Sequence, residues 1–146
     1  MTGGAQVVVG RPTERPSLDG GGTVGRMTLT FSGAVFDSAD PATVAEFWAE
    51  ALGWSGHESG ERGEVVIYPQ EGETVLGPPS LVFQPVPEGR VVKNRLHLDF
   101  GSSDQAADVA RLEAIGARRV DVGQGDDATF VVLADVEGNE FCVLGE

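Results

Sequence analysis

The chain has 146 residues, 40% hydrophobic and 23% charged, with 21 glycines and 8 prolines. That length supports one packed core and excludes two independent domains, which cluster near roughly 100–150 residues each. The formal net charge of −13, from 23 acidic against 10 basic side chains, repels phosphate backbones and anionic lipid surfaces, so nucleic acid and membrane are not expected partners.

The first 26 residues hold seven glycines and two prolines with no sustained periodicity. They cannot bury enough to offset their ordering entropy and are read as a disordered tail, with Met27 a candidate natural start of a single domain over 27–146. A strand is predicted over 28–37. Asp40 then offers an N-cap acceptor and Pro41 suits the first helical turn, so a helix is predicted over 41–52, stopped by Gly53. Val44, Phe47, Trp48, Ala51 and Leu52 share its buried stripe. Strands follow over 54–58, 65–68 and 80–86, with a loop over 72–79 and a connector over 85–93.

The pattern then recurs: a strand over 94–101, a helix capped by Ser102 with Gln105 three residues on and stopped by Gly116, and strands over 118–122, 129–134 and 140–144. Ala51-Leu52-Gly53 and Ala114-Ile115-Gly116 end the two helices 63 residues apart, which indicates a duplicated unit. Module one spans about 28–86 and module two about 94–146. The chain has no apolar run of the roughly 20 residues needed to span a bilayer, and its first residues lack a secretory pattern. Cys142 is the sole cysteine, which excludes an intrachain disulfide and a zinc centre of several thiolates; a cytoplasmic setting is expected.

Asp40-Pro41 through Phe47-Trp48 to Leu52-Gly53-Trp54, then Lys93-Asn94-Arg95-Leu96-His97-Leu98-Asp99, then Asp135-Val136-Glu137-Gly138-Asn139-Glu140-Phe141-Cys142, together resemble the glyoxalase-like branch of the vicinal oxygen chelate (glyoxalase/bleomycin-resistance) superfamily. The resemblance implies an α+β fold of two βαβββ modules, whose mixed sheets cup a cavity, and metal ligands on the first and last strands of each module in metal-dependent members. His97 matches the family's histidine. The 63-residue offset brings it onto Ala34, which carries no donor, and Cys142 stands where relatives carry a glutamate. Gln84 on the last strand of module one is a weak ligand. No cofactor is expected; if a divalent metal is bound, its donors are His97, Gln84 and Glu140.

His97 is read as the only mid-strand histidine, His57 falling in a polar loop, and strand alternation puts Arg95, His97 and Asp99 on one face. Its ordinary pKa near 6.5 suits proton transfer; the competing reading is a histidine satisfied structurally by Asp99. Gln84, Arg95, Asp99, Glu140, Cys142 and Trp54 are candidate ligand contacts. Against this, the favoured reading of Cys142 is a small buried apolar residue, aromatics such as Trp54 usually pack on their own sheet, and backbone is as good a partner as a ligand for the Gln84 amide. The expected function is binding of a small organic metabolite in the cavity, with His97 as the catalytic residue of a metal-independent isomerase, lyase or cyclase. The alternative is a non-catalytic protein that sequesters an antibiotic, with a metal-dependent glyoxalase or dioxygenase third. Fold alone does not separate them. A homodimer fits the family pattern.

Overall fold

The computed structural model describes residues 31–70, 79–125 and 127–145. The tail over 1–26, most of the 72–79 loop and Asp126 lie outside the described residues. Module one contains β1 (Gly33–Ser38), α1 (Pro41–Leu52), β2 (Gly56–Ser59), β3 (Val65–Tyr68) and β4 (Ser80–Pro85). Module two contains β5 (Leu98–Ser102), α2 (Gln105–Ala114), β6 (Arg118–Arg119), β7 (Phe130–Ala134) and β8 (Glu140–Gly145). The sheets run β1-β4-β3-β2 and β5-β8-β7-β6. In each, the first strand pairs parallel to the last and the other pairs are antiparallel. This is the duplicated βαβββ arrangement that the motifs imply.

α1 has the predicted limits for the predicted reasons. Asp40 Oδ1 accepts from the Thr43 N–H at 3.2 Å, Pro41 opens the helix, and Gly53 ends it in the left-handed region at φ 67°, where a side chain would be strained. α2 is capped differently from the prediction. Asp104, not Ser102, is the N-cap and accepts from the Ala107 N–H at 3.1 Å. The Ser102 hydroxyl instead accepts from the Asp104 N–H and donates to Asp108 at 2.7 Å.

Two strand predictions also shift. β5 begins at Leu98 rather than at 94, so His97 lies just before the strand and not within it; His57 is the residue found in a strand, β2. The cause is non-local, because Asn94 turns its N–H and side-chain amide toward Glu140 and Asn139. β6 keeps two residues of the 118–122 run. After it, the side chains of Gln124 and Asp121 accept the Val122 and Gly123 N–H groups and turn the chain away.

Strand alternation divides each sheet. Ala34, Phe36, Val65, Ile67, Leu81 and Phe83 of sheet one, and Leu98, Phe100, Val131, Leu133, Phe141 and Val143 of sheet two, join one core with both helices. Val35, Asp37, Val82, Gln84, Asp99, Glu140 and Cys142 occupy the opposite face. Trp48 fuses the modules: its ring centroid lies 4.9 Å from Phe141 and 5.4 Å from Phe100. Its indole N–H donates at 3.0 Å to Asp135, which is fully buried. Asp135 also accepts from the Glu137 and Asn139 N–H groups and the Asn139 amide, so burial of this carboxylate is compensated. From the same turn, Glu137 Oε1 accepts from the Ser38 hydroxyl at 3.0 Å and the Asp40 N–H at 2.7 Å. The final turn of module two thus braces the start of α1.

Candidate functional site: the cleft between the modules

β1 and β5 each form one edge of their sheets, and a cleft of about 640 Å³ opens beside them. Trp48, Phe36, Leu98 and Phe141 form its apolar floor. The Phe36 and Trp48 centroids are 6.1 Å apart. The rim is polar, with Asp37, Glu88, Arg90, Asn94, Arg95, His97, Asn139 and Glu140 around it. An aromatic base under a few convergent polar groups is the usual build of a small-molecule site.

The connector holds that rim in place. Arg90 Nη1 donates to Glu140 Oε1 at 2.9 Å and to the Val92 carbonyl at 2.9 Å. The Asn94 N–H donates to Glu140 Oε2 at 3.3 Å, and its amide donates to Asn139 Oδ1 at 2.9 Å. Glu140 is buried, and a buried carboxylate requires such partners. Residues 90–94 are therefore fastened onto the start of β8.

His97 lines the cleft with a half-exposed side chain, and its Nε2 lies 3.3 Å from Asp99 Oδ1. Asp99 is the register partner of Cys142 across the parallel β5–β8 pair. The donor atoms of His97, Asp99 and Cys142 all lie within 4.8 Å of one another. Burial pushes the Cys142 thiol above its ordinary pKa, and its hydrogen bond with Asp99 and the charge of that carboxylate push it further, against a lowering pull from Lys93. Cys142 is thus a neutral thiol at physiological pH and not an activated nucleophile.

The predicted site residues divide accordingly. His97, Arg95 and Glu140 line the cleft. Asp99 and Cys142 adjoin His97 without lining it. Gln84 does not join them: its amide donates to Asp37 Oδ1 at 3.1 Å, so it is bonded neither to His97 nor to backbone. Trp54 packs against the core, leaving Trp48, whose helical stripe predicts core alone, to serve as both core and cleft floor. Arg90, Asn94 and Phe36 carry no motif that marks them as cleft residues. The one available signal is Glu140, a carboxylate in an apolar strand that needs a distant cation.

The ligand set implied for metal-dependent relatives does not fit this chain. Asp40 and Asp104 cap α1 and α2 64 residues apart, and Ala34 and Leu98 occupy matching places opposite Leu81 and Phe141. By this register His97 corresponds to Gly33 rather than Ala34, and Cys142 to Val82, while Gln84 corresponds to Leu144. Module one supplies no donor at either position. The predicted trio of His97, Gln84 and Glu140 is likewise not brought together, since Gln84 is bonded to Asp37 and Glu140 to Arg90.

Fold and cleft define a duplicated βαβββ protein of the glyoxalase/bleomycin-resistance type. The chain belongs to the glyoxalase-like domain family, whose model matches residues 33–144. Among solved structures it is similar to a glyoxalase/bleomycin resistance protein/dioxygenase family enzyme from Burkholderia phytofirmans PsJN, at TM-score 0.58 and 16% identity, covering 80% of this chain and 98% of that one. It is also similar to TnmS3, an antibiotic binding protein from Streptomyces sp. CB03234, at 0.53 and 18%, covering 82% and 98%. A third is the fosfomycin resistance protein FosX from Listeria monocytogenes, solved with Mn(II) and a dihydroxypropylphosphonic acid, at 0.61 and 11%, covering 81% and 90%. At these identities the likeness establishes the fold alone. No curated protein matches the chain. Among the described residues no helix is long and apolar enough to cross a membrane.

Proposed function

We propose that the protein binds a small organic molecule in the cleft between its modules, without using the family's two-module metal site. The observation that carries this reading is the aromatic floor of Trp48, Phe36 and Phe141 beneath a polar rim fixed by the Arg90–Glu140 pair. The floor supplies apolar contact area, and the rim supplies a few oriented hydrogen-bonding groups. Both walls come from one chain, so binding needs no second copy; homodimerisation and a cytoplasmic setting remain expectations of the same reading. The fold neighbour that binds an antibiotic is consistent with a sequestering role.

A specific observation favours a second reading, catalysis. Asp99, 3.3 Å from His97 Nε2, can orient the ring, as a positioned general base requires. In an isomerase, lyase or cyclase, His97 would move a proton on the bound molecule, with Arg95 or Glu140 orienting a carbonyl or hydroxyl.

Titration with anilinonaphthalene sulfonate, which fluoresces in apolar sites, tests the binding reading. Val35 lines the cleft and is 60% exposed, so Val35→Trp fills the space without disturbing the core. Saturable binding to the wild type, weakened tenfold or more in the variant, is the expected result. No saturable binding, or equal binding by the variant, contradicts the reading. With a bound metabolite in hand, His97→Gln that keeps affinity and loses turnover favours the enzyme over the sequestering protein.

A further inference from the structure

We propose that a second pocket, lined by α1, α2, β5 and β8, binds an uncharged one-ring aromatic compound that carries a hydrogen-bond acceptor such as a carbonyl oxygen. The pocket has a volume of about 190 Å³ and lies apart from the cleft, so the proposal does not rest on the cleft-binding reading. Trp48 and Phe141 are the partition, since each lines both spaces.

The space follows from what the two helices bring to the sheet. On the inner stripe of α1, Ala51 lies one turn after Trp48, and its methyl group leaves room that a larger side chain would fill. On α2 only Val109 and Leu112 are buried. The walls are therefore Trp48, Leu52, Phe100, Leu112, Phe141 and Val143, and polar side chains come only from Ser102, Asp108 and Arg111. An engineered cavity of about 150 Å³ with apolar walls of this kind stays dry and takes up benzene, so about 190 Å³ accommodates one ring with a small substituent. A ring placed there gains the dispersion contacts that the walls otherwise lack. The three-ring dye that probes the cleft is too large for it.

The polar groups decide the substituent. Arg111 Nη2 donates to the Ala51 carbonyl and to Asp108 Oδ1, both at 3.1 Å. Asp108 Oδ2 in turn accepts from the Ser102 hydroxyl at 2.7 Å. These bonds tie the guanidinium to the end of α1, while the N–H groups on its Nη1 and Nε meet no acceptor among the described residues. They suit an oxygen acceptor on the ligand. The Arg111–Asp108 pair is neutral as a unit and the chain carries a net charge of −13, so the attraction of Arg111 for a carboxylate is offset by the repulsion of Asp108. An uncharged carbonyl accepts the same hydrogen bond without that repulsion.

Titration of the isotope-labelled full chain with acetophenone, followed by nitrogen–proton NMR, tests this. Ala51 and Arg111 line this pocket alone, and Arg95 and His97 line the cleft alone. The expected result is saturable movement of the Ala51 and Arg111 signals, retained when Val35→Trp fills the cleft, with benzoate at least tenfold weaker. Ala51→Phe fills the pocket and weakens acetophenone binding tenfold or more. Arg111→Met removes the donor and weakens acetophenone about tenfold, the worth of one hydrogen bond to a charged group, but leaves toluene, which lacks the acceptor, unchanged. No saturable movement at Ala51 and Arg111, benzoate binding as tightly as acetophenone, or an Arg111→Met variant that treats acetophenone and toluene alike overturns the proposal. Arg111 is half exposed, so its variant decides the matter if Ala51→Phe fails to fold. Absence of acetophenone binding with dye binding to the cleft intact overturns this proposal alone and leaves the cleft-binding reading standing.

Discussion

Trp48→Phe removes the one side chain that is at once core, cleft floor and bond between modules. Trp48 is 1% exposed and Asp135 fully buried, so the lost indole N–H cannot be replaced by solvent. A hydrogen bond to a charged acceptor is worth about 1.5–3 kcal/mol. The smaller ring leaves a void of roughly 40 Å³, which at about 24 cal/mol per Å³ adds about 1 kcal/mol. The expected loss is thus about 3 kcal/mol, or a fall in Tm of about 10 °C for a domain of this size. Urea unfolding followed by far-ultraviolet circular dichroism measures it. Asp135→Asn and the double variant complete a cycle in which the coupling should reach about 1 kcal/mol or more. A loss under about 1 kcal/mol for Trp48→Phe would refute the assignment of Trp48 as the joint between modules.

Arg90→Ala leaves the buried Glu140 with only the Asn94 N–H; because Arg90 is a third exposed, the expected cost is about 1–2 kcal/mol, together with weaker dye binding at the loosened rim. Equal stability and equal binding would show that the connector is not fastened through this pair. The Ser102 hydroxyl and then the Arg111 guanidinium hold the Asp108 carboxyl below its ordinary value of 3.8. A lowered folded-state pKa contributes stability that is present above 3.8 and lost as pH falls through the folded value. Ser102→Ala should therefore be less stable than wild type at pH 7, with the gap narrowing in acid. A gap that is constant with pH in chemical denaturation would contradict the Asp108 link.

Local chemistry makes part of this fold legible. The limits of α1 follow from Asp40, Pro41 and Gly53, whose effects are confined to one helical turn, and β3 follows from a short β-branched run. Features set across the chain are not legible. β5 starts late because Asn94 bonds to residues 45 and 46 positions away, and the connector's role depends on Arg90 meeting Glu140 50 positions on. The 63-residue alignment of the repeat fails for a physical reason. Gly53 is the C-cap of α1, whereas α2 is capped by Ile115 and Gly116 lies one residue beyond, so matching the two glycines gives 63 where the strands and N-caps require 64. That single residue exchanges the faces of a strand. His97, Arg95 and Glu140 stand out through the motif and do line the cleft. Gln84 does not reach it because its partner Asp37, on the neighbouring parallel strand, cannot be read from its own strand.

The chain has two tryptophans, so its nitrogen–proton NMR spectrum carries two indole signals, Trp48 at the cleft floor and Trp54 outside the cleft lining. Titration with a library of small aromatic and carbonyl compounds should shift the Trp48 indole signal saturably with at least one compound while Trp54 stays fixed. Compounds that bind and move only Trp54, or neither indole, would place ligand recognition elsewhere and contradict the cleft as the working site.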